Sequence, residues 1–380
     1  MTLAWEELAA RTLARQFPAV AGRDAAAVER VLDLAGPVQS QTARSPFLSL
    51  AARLPGVEHH AIAAAHDDHA VVRGSNLRGT VHTSTPADHA LMEVVTRLGQ
   101  RALWARTLRL QDTTLEQVWA GIEASAADDW RTAAELHDHL RGWLAEHDPG
   151  AEPRLDDTQG RYLAFGHGGL LRRPLGGGWS GQGRAGYRTA SAVLGDRSAV
   201  LADPDGAVDA LLRRHLGCHG PASRRDLAWW SGLGLRTVDA SLSRLASDLV
   251  EDDAPDGSVV VDLADAPGPV DLPGTHLLPE FDALLCAYDP KARTRFVDAA
   301  HYRRLWVQDN GLLLAPVLVD GRLTGHWRLE GSGRRRRCEV AWFAGTRRPR
   351  RSELETCLAA VAAAYDVEVT GLDVAREQPA

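Results

Sequence analysis

Two glutamines one residue apart, Gln39 and Gln41, have side chains suited to holding a water molecule. They follow a Gly-Pro turn at Gly36-Pro37, so both amides can point into the same cleft. A primary amide offers a carbonyl acceptor and an NH₂ donor, and it does not titrate. The pair therefore favours the positioning of a water over strong acid–base catalysis.

Length and composition indicate a folded protein of several small domains. The chain has 380 residues, 44% of them hydrophobic and 24% charged, which excludes wholesale disorder and collagen-like repeats. The apolar segment from Leu3 to Leu13 is interrupted by charged residues, so we expect neither a secretion signal nor a membrane span, and a cytoplasmic location. A disulfide framework and a zinc knuckle are disfavoured because the four cysteines are far apart, at Cys218, Cys286, Cys338 and Cys357.

Positive charge is concentrated near the C-terminus, although the formal net charge of the chain is −7. Eight arginines against Glu339 give the segment from Arg334 to Arg351 a net charge of +7. Lys291 is the single lysine, so nearly every cation is a planar guanidinium that can bind phosphate with two hydrogen bonds. Such a cluster is the pattern expected of a nucleic-acid contact.

The region after His219-Gly220-Pro221 has the pattern of a winged helix-turn-helix. Ser223 is a natural N-cap with Asp226 three residues later, which favours a helix start. Gly232-Leu233-Gly234 predicts a tight turn, and a helix-spaced apolar face and a β-hairpin follow it.

Two earlier regions repeat this plan, and the C-terminal region differs. A capping box at Thr132 to Glu135 opens the second unit, and Asp320-Gly321 between apolar runs is a strong hairpin signal. We therefore predict an α+β fold of three tandem winged helix-turn-helix motifs and a small C-terminal β-barrel. The predicted boundaries are 1–125, with the Gln-x-Gln motif, 126–200, 201–272, and 273–380 for the barrel and its closing helix.

Five blocks in order resemble the AlkZ-type winged-helix DNA glycosylases over about the whole chain. They are Gln39-Ser40-Gln41, Arg73 to His82, His219-Gly220-Pro221, Leu278-Pro279-Glu280-Phe281-Asp282 and Val319-Asp320-Gly321-Arg322. The resemblance implies a monomer with a C-shaped channel for double-stranded DNA, Gln39 and Gln41 as catalytic residues, and excision of bulky N7-alkylguanine, including interstrand crosslinks. It also implies self-resistance to a DNA-alkylating natural product.

The chemistry of such a lesion agrees with a site built from amides. Alkylation at N7 makes the guanine cationic, so the base leaves without protonation by a general acid. The protein must then supply an aligned water and stabilise an oxocarbenium-like sugar. We expect Gln39 and Gln41 to position that water near C1′.

Several other side chains are candidates for contacts with DNA. His82 could contact substrate or DNA, with a purely structural role as its alternative. Arg172-Arg173 and the segment from Gly176 to Gly183 could form a hairpin that enters a groove, with a mobile loop of no special role as the alternative. Trp229-Trp230 could be a stacking platform for a base, with one core and one interface residue as the alternative. The spacing from His66 to His69 does not match a metal-binding pattern, and we expect no metal site and no cofactor. The predicted DNA-binding residues are Arg44, Arg73, Arg78, His82, Arg172, Arg173, Arg236, Arg334, Arg335, Arg336 and Arg337.

Two other functions remain open at this point. A winged-helix transcription regulator would read sequence and carry no catalytic residue, and it would be expected to dimerise on a palindromic site. A non-enzymatic lesion-binding protein would recognise distorted DNA only. Release of N7-methylguanine from a damaged oligonucleotide separates the enzyme from both alternatives.

Overall fold

The computed structural model describes residues 2–151, 155–181, 183–307 and 311–377 and mixes α-helices with β-sheets. The helices are α1 (Trp5–Gln16), α2 (Ala25–Ala35), α3 (Ser45–Arg53), α4 (His59–Asp67), α5 (Pro86–Leu108), α6 (Leu115–Ser125), α7 (Ala133–His147), α8 (Thr158–Leu163), α9 (Ala190–Leu194), α10 (Ser198–Ala202), α11 (Pro204–His219), α12 (Arg224–Ser231), α13 (Leu235–Arg244), α14 (Ala283–Cys286), α15 (Ala299–Leu305) and α16 (Arg351–Tyr365). Within the described residues, none of them has the length and hydropathy needed to cross a membrane.

The strands form four sheets. They are β1 (Val38–Gln39), β2 (Val72–Ser75), β3 (Val81–Ser84), β4 (Arg131–Thr132), β5 (Leu170–Pro174), β6 (Ala185–Thr189), β7 (Ala222–Ser223), β8 (Leu249–Asp253), β9 (Val259–Leu263), β10 (Thr275–Leu277), β11 (Trp306–Val307), β12 (Leu312–Leu313), β13 (Pro316–Val319), β14 (Arg322–Glu330), β15 (Arg335–Trp342) and β16 (Glu368–Arg376). The strand orders are β1-β3-β2-β5-β6-β4, β7-β9-β8, β11-β12 and β10-β13-β14-β15-β16.

One arrangement of strands and helices occurs three times along the chain. A two-residue strand is followed by helices and then by an antiparallel hairpin, and the short strand pairs with the second strand of that hairpin. The three orders are β1-β3-β2, β4-β6-β5 and β7-β9-β8. The first two copies share one sheet because β2 also pairs with β5.

Local signals explain where these helices begin and end. Thr132 and Ser223 each accept a hydrogen bond from the backbone N–H three residues later, and the side chain at that later position bonds back, as the sequence predicted. Helix α12 ends at Gly232, whose φ of 77° lies in the left-handed region that glycine adopts easily. The turn between α12 and α13 is therefore fixed by the sequence itself.

The C-terminal sheet forms only part of the small β-barrel that the sequence predicted. It is an open, five-stranded half-barrel that ends at β10 on one side and β16 on the other, and no pairing joins these two edges in the described part of the chain. The last strand, β16, runs parallel to β15 and was not predicted.

The core connects the two ends of the chain. Phe47 of α3 and Ile62 of α4 belong to the same buried cluster as Val317 of β13 and Leu358 of α16. A second cluster joins α1 and α11 to residues from α12 through β14. The N-terminal segment that carries the two glutamines is thus held against the C-terminal sheet, and the predicted domain boundaries stay a prediction.

Candidate functional site

Gln39 lies at the end of β1, the edge strand of the six-stranded sheet. Its cross-strand partner on β3 is His82, and the Ser40 N–H donates to the Val81 carbonyl at 2.7 Å. The side-chain oxygen Oε1 of Gln39 accepts a hydrogen bond from Nη2 of Arg78 at 3.1 Å. This bond fixes the orientation of the amide and leaves its NH₂ group available as a donor.

Arg78 is held in place by the elements on both sides of it. Its φ of 56° is in the left-handed region, and its Nη1 donates to the backbone carbonyl of Trp230 on α12. Burial lowers the pKa of this guanidinium, and the charge of Arg293 acts in the same direction. Arg78 therefore links the glutamine on β1 to the third repeat of the fold.

His82 is buried behind Gln39, with a relative exposure of 2%. Burial, aided by the charge of Arg78, lowers its pKa to about 3, so the imidazole is neutral at physiological pH. Its Nδ1 lies 3.3 Å from the carbonyl oxygen of Thr80. Because partners across an antiparallel pair share a face, the ring supports Gln39 from the adjacent strand. Its predicted contact with DNA stays a prediction.

Gln41 differs from Gln39 in being exposed and without a hydrogen bond to the described part of the chain. Between the two, Ser40 turns inward and donates to Oγ1 of Thr83 at 2.8 Å. Gln41 faces an open cleft between β1 and the β5–β6 hairpin. The lining residues that the structure describes include no acidic side chain; they are Ser40, Gln41, Ala43, Arg73, Arg172, Arg173, Pro174, Gly181, Gly183 and Ala185.

Three predicted DNA-binding arginines meet at this cleft. Arg73 is buried, donates to the carbonyl oxygens of Trp179 and Ala43 at 3.3 and 3.4 Å, and has a pKa lowered to about 10 by burial and by Arg172. Arg172 and Arg173 form no ion pair with the described residues and lie over aromatic rings, Arg173 at 5.2 Å from Trp130. Positive charge is thus concentrated beside Gln41, and none of the described residues that line the cleft is acidic.

Comparison with known proteins identifies the family. The family model of AlkZ-like DNA glycosylases matches residues 9–364. The chain belongs to this family. The solved structure of Streptomyces sahachiroi DNA glycosylase AlkZ is similar with a TM-score of 0.80 and 20% identity, covering 98% of this chain and 100% of that chain, which shows that the fold is shared. No curated protein sequence matches the chain.

The other predicted arginines of this glycosylase are in two different situations. Arg236, on the first turn of α13, is exposed and makes no ion pair within the described residues. Arg44 is instead paired with Glu280, which is distant in sequence but adjacent in the fold. The contact of Arg44 with DNA stays a prediction, while its contact with Glu280 is a feature of the structure.

The C-terminal arginine run is largely neutralised by acids from other elements. Arg334 pairs with Asp366 at 2.6 Å, Arg335 lies 3.9 Å from Glu368, and Arg337 pairs with Asp373 of the neighbouring strand β16. Arg336 is half-buried, and its Nη1 has no hydrogen-bond partner in the described structure. The strong positive field that the sequence predicted here is therefore reduced in the fold, and phosphate contact by these four residues stays a prediction.

Sequence reasoning missed the residues that hold α3 behind the glutamines. Arg53 of α3 donates to both carboxylate oxygens of Asp282, at 2.9 and 3.0 Å, and this pair is almost fully buried. Glu280 and Asp282 thus each bind an arginine of the segment that follows Gln41. The signal was present as the Leu278 to Asp282 block, but the block alone does not reveal the partners.

We expect the double variant Arg172→Ala, Arg173→Ala to bind duplex DNA more weakly and with less dependence on salt. Loss of two phosphate contacts lowers the slope of log affinity against log salt concentration by about 2. Fluorescence anisotropy at several salt concentrations measures this slope. The matched variant Arg213→Ala, Arg244→Ala removes two exposed arginines that are paired with Asp248 and Asp209, and its slope is expected to stay close to that of the wild type. A larger change in the second variant than in the first would contradict this assignment.

Proposed function

We propose that this DNA glycosylase hydrolyses the N-glycosidic bond of N7-alkylated guanine in double-stranded DNA, including bulky adducts and interstrand crosslinks. The observation that carries the proposal is the free amide of Gln41 facing an arginine-lined cleft, two residues after the amide of Gln39, which Arg78 orients. His82 next to them is neutral. A site of this kind positions a water but cannot protonate a leaving group strongly.

A cationic base is the leaving group that such a site can serve. When the bond between C1′ and N9 breaks, its electron pair neutralises the positive charge that alkylation placed on the purine. The water then forms a bond to C1′ of the oxocarbenium-like sugar and releases a proton to solvent. Gln39 and Gln41 act by holding the oxygen of this water in line with C1′, which supplies proximity rather than base strength.

The repeated strand order supports a reading of the fold as three winged helix-turn-helix units. In each copy the short strand pairs with the second hairpin strand, and in the third copy α12, a glycine turn and α13 stand between them. One chain with three such units spans a duplex without dimerising. We therefore infer that the enzyme is a monomer that binds DNA in a channel lined by arginines. An open channel suits a crosslink, because a lesion tethered to the opposite strand resists extrusion into a closed pocket.

The reaction is proposed to be monofunctional. Cleavage of the DNA strand by a glycosylase requires an amine that attacks C1′, and Lys291, the single lysine of the chain, lies in an exposed turn and not among the cleft-lining residues. The product would then be a free base and an intact abasic site. The biological role would be base-excision repair or self-resistance to a DNA-alkylating natural product.

The decisive experiment is incubation of the full chain with a duplex that contains one N7-methylguanine. We expect free N7-methylguanine by liquid chromatography, an abasic strand that breaks only after alkali, and no protein–DNA adduct on borohydride reduction. A crosslinked duplex is the second substrate, and release of one strand from it tests whether bulky lesions are also substrates. Tight binding to both duplexes with no released base would contradict the proposal in favour of a lesion-binding protein. Preference for one undamaged palindromic sequence would favour a transcription regulator.

A further inference from the structure

Trp229 on α12 is the one tryptophan among the described residues whose side chain is exposed, with a relative exposure of 36%. Its neighbour Trp230 is 4% exposed and packs in the core, as the sequence predicted for one of the two. An indole in water costs free energy unless something covers it in the working complex. The exposed part of the indole is therefore available to a partner.

The indole of Trp229 rests on a buried cation that is held by other aromatic rings. The guanidinium carbon of Arg293 lies 5.4 Å from the centroid of Trp229 and 5.5 Å from those of Tyr302 and Trp306. Arg293 is 1% exposed and is fixed by the Tyr288 carbonyl at 3.1 Å and by the Tyr302 hydroxyl. One face of Trp229 is thus held rigidly by a cation–π contact, and the other face is left for a partner.

This aromatic surface is directly connected to the proposed catalytic site. Arg78 donates one hydrogen bond to the Trp230 carbonyl and another to Gln39, so a single side chain joins α12 to the glutamine. Arg225 lies one helical turn before Trp229 on the same face of α12. Arg225 and Arg236 are both exposed and make no ion pair within the described residues. A rigid indole, with one unpaired guanidinium on the same face of α12 and another on the first turn of α13, matches the needs of DNA, which presents a flat base beside phosphates.

We propose that Trp229 is a stacking residue that receives a nucleobase of DNA opened at the lesion, with Arg225 and Arg236 at the adjoining phosphates. This inference rests on the proposed function, because it assumes that the DNA bound at Gln39 is opened locally. The cation beneath the indole draws electron density away from the outer face. That face favours a neutral, electron-rich base over a cationic N7-alkylguanine. The stacked base is therefore a neighbour of the lesion or the base opposite it, not the lesion itself.

The test compares Trp229→Leu and Trp229→Phe in the full chain, with fluorescein-labelled duplexes that carry one tetrahydrofuran abasic residue as the probe. We expect Trp229→Leu to weaken binding by about 10-fold and Trp229→Phe to stay within about threefold of the wild type, because phenylalanine keeps a ring that stacks. Trp143→Leu is the matched control. Trp143 stacks on His147 of α7, away from the glutamines, and its replacement should leave affinity unchanged. Thermal melting of each variant checks that it is folded.

Moving a second abasic residue along both strands, with the first kept at the lesion site, identifies the stacked base. At one position next to or opposite the lesion site, removal of the base should weaken DNA binding by the wild type about 10-fold. It should leave DNA binding by Trp229→Leu unchanged. Equal losses for both proteins at every position would overturn the proposal, as would wild-type affinity in Trp229→Leu. The second result would assign the exposed indole to a protein partner instead.

Base release by the wild type is measured in parallel. If the wild type releases no base but Trp229→Leu still binds DNA more weakly, only the proposed function is refuted. If the wild type releases base but Trp229→Leu binds DNA as the wild type does, only this inference is refuted.

Discussion

Replacing both glutamines, Gln39→Ala with Gln41→Ala, is expected to lower the single-turnover rate of base release by at least about 10³-fold. The two amides supply the alignment of the water, and nothing among the described residues that line the cleft can act as a substitute base. Affinity for a lesion-containing duplex should stay within about threefold of the wild type, because the phosphate contacts come from arginines. Base release under single-turnover conditions and anisotropy on the same duplex measure the two quantities.

The control for this prediction is Gln111→Ala. Gln111 is an exposed glutamine after α5 that donates to the Gly150 carbonyl, outside the cleft, so its replacement should not affect base release. Arg78→Lys tests the role of orientation, since lysine cannot bond Gln39 and the Trp230 carbonyl with one planar group. We expect that variant to release base more slowly and to keep its affinity for DNA, because lysine retains the positive charge of Arg78. Wild-type release by the double glutamine variant would refute the assignment of the site, and a parallel loss of DNA affinity would make the glutamines binding residues.

Sequence reasoning succeeded where the signal is local. The capping residues Thr132 and Ser223 begin helices where the sequence places them, and Asp320-Gly321 forms the turn between β13 and β14 with φ of 46° and 77°. These features depend on hydrogen bonds and backbone conformations within a few residues, so the amino-acid types decide them. The family resemblance was confirmed for the same reason, because it depends on short blocks in a fixed order.

The sequence could not reveal contacts between distant segments. The sequence around Arg44 does not indicate a partner, yet this arginine is paired with Glu280, 236 residues later. The charge of the run from Arg334 to Arg337 is offset by acids that reach it only because β16 forms beside β15. His82 has a pKa of about 3 because the fold buries it, which no spacing indicates. In each case the property depends on residues that are distant in sequence and that tertiary packing brings close.

Asp282→Ala is expected to lower the free energy of unfolding by about 3–5 kcal/mol, the cost of leaving a buried guanidinium without its partner. Arg53 and Asp282 are 3% and 1% exposed, and two hydrogen bonds of 2.9 and 3.0 Å join them. The same carboxylate accepts the Leu284 N–H at 3.0 Å and so caps α14. Urea unfolding of the full chain, followed by tryptophan fluorescence, measures the change.

The matched control is Asp373→Ala, which removes the partner of Arg337 at an exposed position and is expected to cost about 0.5 kcal/mol. Asp282→Asn should fall between the two, because its carbonyl oxygen can still accept one bond from Arg53. The buried pair also lines a small cavity behind β1 together with Gln16 and Val38, so its loss should slow base release even below the unfolding temperature. Equal destabilisation by Asp282→Ala and Asp373→Ala would mean that water reaches Arg53. The segment from Leu278 to Asp282 would then not be what holds the glutamine strand in place.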